Sequence, residues 1–114
     1  MKNKEYESIL KMIKYIDKTL QYNKNYDFTK FCDDEKNQDA SIFNICQIGE
    51  LIKNISEETI NKYNKIEWKM IKGLRNRIIH DYDGINLENI WYILEEDLPS
   101  LKSDLEEIIS DYNN

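Results

Sequence analysis

Apolar residues recur every three or four positions along most of the chain, which is the spacing of one face of an α-helix. The pattern is clear near the amino end, where residues 3–21 predict an amphipathic helix. Its apolar face carries Tyr6, Ile9, Ile13, Ile16 and Leu20. With three glycines and one proline, the chain has few of the turn residues that an all-β fold needs.

Polar residues between the apolar segments indicate where the next helices begin. Asp27 can cap a short helical turn, and Asp33 and Asp34 offer caps for a longer helix that runs to about Asn54. The apolar residues of this longer helix cover a wide arc, so we expect it to be central. They are Ala40, Phe43, Ile45, Cys46, Ile48, Leu51 and Ile52.

The second half of the chain predicts two more long helices. Ser56 can cap a short helix, which is followed by a long helix over residues 66–82. Asn86 is the predicted cap of a last helix over residues 87–111. Pro99 lies inside this helix and removes a backbone donor, so we expect a kink there, or a break after which Pro99 restarts the helix.

These elements predict one domain, residues 1–114, with an all-α fold: an up-and-down bundle of four main helices plus short helices. Cys32 and Cys46 have no metal-ligand spacing, and a chain without a secretory signal favours reduced thiols. No apolar run approaches the length of about 18 residues that a membrane span needs. The expected location is the cytoplasm.

The net charge of −6 at first argues against nucleic acid, but the charges are unevenly distributed. Residues 62–77 contain six basic residues and one acid, a local charge of +5, whereas residues 81–114 contain ten acids and one base. A positive stripe can hold a phosphate backbone on an acidic protein. A solvated helix face would explain the same run of charge.

Arginine and histidine are concentrated in one segment. The chain has 16 basic residues, but its two arginines, Arg75 and Arg77, and its one histidine, His80, all lie within six positions. Arginine offers a planar, permanently charged fork for phosphate, and histidine has a pKa of about 6.5, suited to proton transfer near neutrality. This combination indicates chemistry on a phosphodiester.

The helix over residues 66–82 has two different sides. Its predicted core arc carries Trp68, Ile71, Leu74, Ile78 and Tyr82. Gly73, Asn76 and His80 share another stripe, with Arg77 beside it. Glycine inside a helix costs about 1 kcal/mol relative to alanine, so Gly73 is expected to permit the close approach of a partner helix or an RNA backbone.

Arg75 and His80 are separated by about 140° around an ideal helix, so their side chains are not automatically adjacent. A long arginine could reach round to a phosphate held near His80. Alternatively, the helix ends early, or the two residues meet across a dimer. The sequence leaves these three arrangements open.

Each of these residues also has an ordinary structural explanation. Arg77 and Asp81 are an i, i+4 pair that a surface ion pair explains. His80 could be a helix cap, Asn76 a polar surface residue, and Tyr82 a packing residue with its hydroxyl at the rim.

Arg75, His80 and Tyr82 together form an Arg-x4-His-x-Tyr pattern that resembles the signature of HepT-like toxins in the HEPN superfamily. The resemblance extends over nearly the whole chain. It includes Gln38-Asp39-Ala40, Ile48-Gly49-Glu50, Gly73-Leu74, Asp83-Gly84-Ile85, Trp91 and Asp97-Leu98-Pro99.

The resemblance implies a metal-independent endoribonuclease that dimerises and forms its cleft between protomers. Arg75 and His80 would be the catalytic pair, with His80 moving protons and Arg75 bracing the phosphate oxygens. RNA would be bound by Asn76, Arg77, Lys72 and Lys69. The implied enzyme needs no metal and no cofactor.

In such pairs the partner is a nucleotidyltransferase antitoxin that transfers AMP to the motif tyrosine, here Tyr82. The alternative hypothesis is a non-catalytic helical module, in which Arg75 and His80 only contact the phosphate of a nucleotide or RNA, or a module that binds a nucleotidyltransferase. A structural helical protein without a ligand is the third possibility.

Overall fold

The computed structural model describes residues 3–83 and 86–114, with the backbone alone for residues 79–83. Its regular elements are all helical in these ranges, which confirms the all-α class. The α-helices are α1 (Asn3–Tyr22), α2 (Phe28–Cys32), α3 (Glu35–Leu51), α4 (Glu57–Lys62), α5 (Trp68–Lys72), α6 (Leu74–Asp83), α7 (Leu87–Tyr92) and α8 (Leu98–Asn113). A 3₁₀ turn (Ile52–Asn54) follows α3, and a π turn (Ile93–Asp97) joins α7 to α8.

Side-chain caps begin four of the helices, as the sequence predicted. In each case a side-chain oxygen accepts a hydrogen bond from a backbone N–H three residues later, which satisfies a donor that the helix leaves unpaired. The caps are Asp27 to Lys30 (2.8 Å), Asp34 to Asn37 (3.0 Å), Ser56 to Thr59 (3.2 Å) and Asn86 to Asn89 (3.2 Å). Of the two candidates before α3, Asp34 is the cap, and Asp33 ends α2.

The central position of α3 is confirmed. It packs against α1, α2, α5 and α6, while α1 also packs against α8. Burial of apolar surface drives this assembly. The fully buried side chains of the hydrophobic core include Ile9, Met12, Ile16, Phe31, Ile45, Ile48, Leu74, Ile78, Ile90, Ile93 and Leu98. Among the described residues, no helix is long and apolar enough to cross a lipid bilayer. The up-and-down order of four helices remains a prediction.

The face that α3 buries is more polar than its sequence suggests. Phe43, expected in the core, is 58% exposed, so that prediction is wrong. Asn37 and Ser41 are buried instead, beside the end of α1. Asn23 Nδ2 donates to Ser41 Oγ at 3.0 Å, and Asn37 Nδ2 donates to Asn23 Oδ1 at 2.8 Å. Because these groups satisfy each other, they can be buried at little cost.

The predicted helix over residues 66–82 is divided in two. α5 begins at Trp68, later than predicted, and ends at Lys72. Gly73 is its C-cap, and α6 starts at Leu74. Gly73 keeps helical dihedral angles (φ −82°, ψ −3°), and the Arg77 N–H donates to its carbonyl at 2.9 Å, so the chain continues with only a local break. The core arc is confirmed for Trp68, Ile71, Leu74 and Ile78, all of which are buried.

Pro99 lies in the first turn of α8, where its missing N–H is tolerated. The π turn directly before it has a wider backbone ring, in which the Leu98 N–H donates to the Ile93 carbonyl five residues earlier. The segment is therefore not broken: Asp97 and Leu98 keep helical dihedral angles, α8 begins at Leu98, and the π turn stands where the sequence predicted a kink or a restart at Pro99. The wider turn was not predicted, because it has no sequence signature of its own.

Candidate active site

Four of the predicted site residues are exposed at the junction of α5 and α6. Lys69 and Lys72 lie on α5, and Arg75 and Asn76 lie in the first turn of α6. Arg77, two residues after Arg75, points about 160° away from it on an ideal helix and is half-buried. His80 and Tyr82 belong to α6, but their side chains lie outside the described residues. Their predicted roles stay predictions.

A close contact with α3 fixes the position of this junction. A Cβ placed on Gly49 would lie 3.2 Å from the Ile71 carbonyl oxygen, 3.6 Å from the Arg75 backbone nitrogen and 3.8 Å from the Leu74 Cβ. The first of these distances is tighter than most Cβ contacts in proteins, so glycine fits here without a shift of either backbone. Gly49 therefore sets the distance between α3 and the arginine motif.

The expectation that Gly73 permits the close approach of another element receives no support. Among the described residues, a Cβ on Gly73 would come within 4 Å of the Lys69 and Met70 carbonyl oxygens alone, at 3.4 and 3.6 Å, and both belong to its own preceding turn. Within the described part of the chain, Gly73 is a helix junction and Gly49 is the contact glycine.

Arg75 faces a carboxylate on α3. Its Nη1 lies 3.7 Å from Oε1 of Glu50, and Oε2 of the same carboxylate lies 3.7 Å from the Lys53 Nζ. The side chains of Arg75 and Glu50 are 54% and 44% exposed, so both can be reached from solvent. The Arg75 guanidinium is thus placed at the surface, over the side of α3.

The Cys46 thiol lies one helical turn before Glu50 and is half-buried. Burial raises its pKa; the positive charge of Arg75 acts against this, and the negative charge of Glu50 adds to it. The thiol is consequently protonated at neutral pH and is a poor nucleophile. We assign Cys46 no chemical role, and both cysteines are free thiols, as predicted.

Arg77 lies in a different environment from Arg75, since its charge acts on Asp97 in the π turn. Burial raises the pKa of Asp97, the charge of Arg77 opposes this, and Glu67 and Glu96 reinforce it. Asp97 Oδ2 is buried and has no hydrogen-bond partner among the described residues. The partner proposed for Arg77 from the sequence, Asp81, has its side chain outside the described residues.

The positive stripe of residues 62–77 is partly neutralised within the fold. The Lys65 Nζ lies 3.1 Å from the Glu107 Oε2, and the Lys62 Nζ lies 5.6 Å from the centre of the Tyr63 ring. The exposed cations at the α5–α6 junction are Lys69, Lys72 and Arg75. These side chains can bind an anion such as phosphate by charge and hydrogen bonding.

No group of three or more histidine, cysteine, aspartate and glutamate side chains is arranged to hold a metal ion in the described parts of the chain. The prediction of a metal-free mechanism is left untested by this finding, because His80 is outside it. Gly49, Glu50 and Asp97 lie in segments that carry the family resemblance, but no role in the site was predicted for them. A glycine inside a predicted helix was a second signal for Gly49 and, beside it, Glu50.

Comparison with known proteins places the chain in a family. A family model described as "Ribonuclease HepT-like" matches residues 12–108. The chain is 40% identical over 92 residues to "Putative RNase MJ0127" of Methanocaldococcus jannaschii, which covers 81% of this chain and 76% of that protein. It is 32% identical over 107 residues to "Probable ribonuclease HepT" of Thermococcus cleftensis, which covers 93% and 94%.

No solved structure gives a significant match to the chain. The family model and the curated relatives nevertheless agree with each other, and each spans most of the sequence. They also agree with the resemblance of the Arg-x4-His-x-Tyr segment. The chain belongs to the Ribonuclease HepT-like family.

Proposed function

We propose that the protein is a metal-independent endoribonuclease toxin whose catalytic pair is Arg75 and His80. The observation that carries the proposal is the exposed cationic junction of α5 and α6, where Lys69, Lys72 and Arg75 face solvent in a protein of net charge −6. Membership of a ribonuclease family supports the same reading of this surface.

The proposed chemistry uses the RNA itself as the source of the nucleophile. His80 of one protomer removes the proton of the 2′-hydroxyl, and the 2′-oxygen attacks the adjacent phosphorus. The bond from phosphorus to the 5′-oxygen breaks, and a second imidazole returns a proton to that oxygen. The products are a 2′,3′-cyclic phosphate and a 5′-hydroxyl, and no metal is required.

Arg75 stabilises the charge that develops on the non-bridging oxygens. Asn76 hydrogen-bonds the phosphate or orients His80, and Lys69 and Lys72 bind the flanking backbone. Arg77 is the predicted third contact to the flanking RNA backbone, although its charge also offsets that of Asp97. A homodimer would supply the second His80 and complete a cleft between protomers.

The proposed partner is a nucleotidyltransferase antitoxin that transfers AMP to the Tyr82 hydroxyl. AMP would add negative charge and bulk two residues from His80, and so would repel and block RNA phosphates. Mass spectrometry after co-expression with such an enzyme should detect AMP on Tyr82. Tyr82→Phe should remain unmodified and toxic, whereas unmodified wild-type protein that is still neutralised would exclude this mode of control.

The nuclease itself is tested with purified protein, a mixed-sequence RNA and excess chelator. Wild type should release fragments that end in 2′,3′-cyclic phosphate, and His80→Ala and Arg75→Ala should each lower the rate at least 100-fold. Lys11→Ala is the charge control, since it removes an exposed cation from α1. Equal cleavage by wild type and His80→Ala would refute the mechanism.

The second candidate is a non-catalytic module that binds RNA, a nucleotide or a nucleotidyltransferase. The acidic composition of residues 81–114 favours it, because such a segment would repel RNA and attract a basic protein. RNA binding without cleavage in any condition would support this candidate over the enzyme. Light scattering tests the dimer independently, and a strict monomer at micromolar concentration would argue against a shared cleft.

A further inference from the structure

Glu50 is the acid that faces the proposed catalytic arginine. Each oxygen of its carboxylate faces a different cation, with Oε1 3.7 Å from the Arg75 Nη1 and Oε2 3.7 Å from the Lys53 Nζ. Both distances exceed the length of about 2.7–2.9 Å for a charge-assisted hydrogen bond. Glu50 therefore holds two neighbouring cations by charge, without locking either one in place.

A loose contact of this kind can be exchanged. Carboxylate and phosphate present similar oxygens to the guanidinium fork, so a phosphodiester can take the place of Glu50 at Arg75. The side chains of Arg75, Glu50 and Lys53 are 54%, 44% and 70% exposed, and exposed ion pairs contribute little free energy. Arg75 can consequently leave Glu50 at small cost when RNA arrives.

The backbone keeps Glu50 in place for this contact. The backbones of α3 and α6 lie close together at Gly49, since a Cβ added to this glycine would lie 3.6 Å from the Arg75 backbone nitrogen. Glu50 is the next residue along α3. Cys46, one turn earlier on α3, is influenced by the charges of both Arg75 and Glu50, which is consistent with the three side chains sharing one surface.

We propose that Glu50 is a positioning residue for Arg75. In the free protein its charge draws the guanidinium to the α3 side of the α5–α6 junction, where the fork is to meet the phosphodiester. This proposal rests on the ribonuclease function proposed above and adds a residue to it. Lys53, the second cation on Glu50, becomes available to an RNA phosphate when the carboxylate is displaced.

The proposal predicts that the two kinetic constants respond differently to loss of the charge on Glu50. Glu50→Gln removes the force that orients Arg75, so kcat should fall about tenfold. It also removes a negative charge beside the RNA, so KM should stay the same or decrease. A residue that only supported the fold would lower kcat, raise KM and lower the melting temperature together.

Glu107→Gln is the matched control. Glu107 is also an exposed acid paired with a lysine, 49% exposed and 3.1 Å from the Lys65 Nζ, but it lies on α8. It should leave kcat unchanged. Glu50→Asp keeps the charge on a shorter side chain and should restore part of kcat, and it provides the test if Glu50→Gln folds poorly.

A double-variant cycle shows whether Glu50 acts through Arg75. In an Arg75→Lys background, Glu50→Gln should lower kcat much less than tenfold, since the fork that it orients is gone. If wild type cleaves RNA and Glu50→Gln retains full kcat, or loses the same tenfold in both backgrounds, Glu50 has no positioning role and the nuclease stands. If wild type cleaves no RNA, the proposed function and this inference fall together.

Discussion

Gly49 lies so close to Ile71 that a Cβ on the glycine would stand 3.2 Å from the isoleucine carbonyl oxygen. Backbone cannot move aside as a flexible side chain can. We therefore expect Gly49→Ala to push α3 away from the α5–α6 junction and to lower the free energy of unfolding by about 1–2 kcal/mol, after a gain in helix propensity is subtracted. Urea denaturation followed by circular dichroism measures this change.

Gly73→Ala is the natural comparison for that variant. Its Cβ would have ordinary contacts, at 3.4 and 3.6 Å, and its backbone is already helical. Alanine should therefore leave stability unchanged or raise it by up to about 1 kcal/mol. A larger loss for Gly73→Ala than for Gly49→Ala would contradict our assignment of the contact glycine.

Lys72 and Lys65 should contribute differently to RNA binding. Lys72 is exposed at the α5–α6 junction, whereas Lys65 is paired with Glu107 at 3.1 Å. Lys72→Gln should weaken binding and reduce the slope of log affinity against log salt by about 1, because one phosphate contact is lost. Lys65→Gln should change the slope less. Fluorescence anisotropy at several salt concentrations distinguishes the two, and equal slopes would exclude the junction as the RNA surface.

Asp97 should lower stability at neutral pH. Burial raises its pKa above the ordinary value of 3.8, so the folded protein binds the proton more tightly than the unfolded chain does. The destabilisation by ionised Asp97 is complete above the pKa of the folded state and disappears below pH 3.8. Asp97→Asn should therefore raise the melting temperature at pH 7 by about 2–4 °C, as expected for about 0.5 kcal/mol in a domain of this size.

The difference between Asp97→Asn and wild type should shrink as the pH is lowered towards 3.8. Glu95→Gln, an exposed acid in the same π turn, controls for the change in net charge. A stabilisation that is the same at all pH values, or the same in the control, would show that titration of Asp97 is not its source.

Ionised Glu5 should stabilise the folded protein at neutral pH, whereas Asp97 should destabilise it. Burial raises its pKa, but hydrogen bonds from Thr59 and Ser56 outweigh this and hold the pKa below its ordinary value of 4.5. The Ser56 N–H and Oγ donate to Oε1 at 2.7 and 2.9 Å, so the carboxylate on α1 secures the start of α4. Its contribution is complete above pH 4.5 and is lost as the pH falls through the folded pKa.

Glu5→Gln should therefore destabilise the protein by about 1 kcal/mol at pH 7 and progressively less below pH 4.5. Glu7→Gln, an exposed acid on the same helix, should have little effect. Thermal melts from pH 3 to 7 compare the variants, and a constant deficit in Glu5→Gln would mean that its ionised form is not the stabilising one.

Local signals in the sequence were sufficient to predict where most of the helices begin. The caps Asp27, Asp34, Ser56 and Asn86 each bind the backbone N–H three residues on, and this interaction depends only on neighbouring residues. The burial of Ile9 and Ile16 on α1 and of Trp68 and Ile71 on α5 follows in the same way from the spacing of apolar residues, whereas Glu5, Ser8 and Thr19 are buried on α1 without such a signal. The predicted features need no knowledge of the tertiary fold.

The surprises arise where distant segments meet. Ser41 is buried and Phe43 is exposed because Asn23, from the end of α1, supplies a polar partner that the sequence of α3 does not reveal. Likewise, the motif identified Arg75, but its contact with Glu50 depends on the packing of α3 against α6. The spacing of residues along a helix predicts the direction of a side chain, but it does not predict which residue of another helix that side chain contacts.

The π turn at Ile93–Asp97 makes the carboxyl-terminal helical segment tolerant of a change in chain length. It holds about one residue more per turn than an α-helix, so removing a single residue there would restore regular α-helix. The four residues left would turn the chain through about 400°, nearly the same angle as the five residues of the π turn, so α8 would keep its orientation relative to α7. The buried side of α8, which carries Leu101, Leu105 and Ile108, would still face α1. A single deletion should therefore be better tolerated at this turn than inside α1 or α3, where it would rotate all that follows by about 100°.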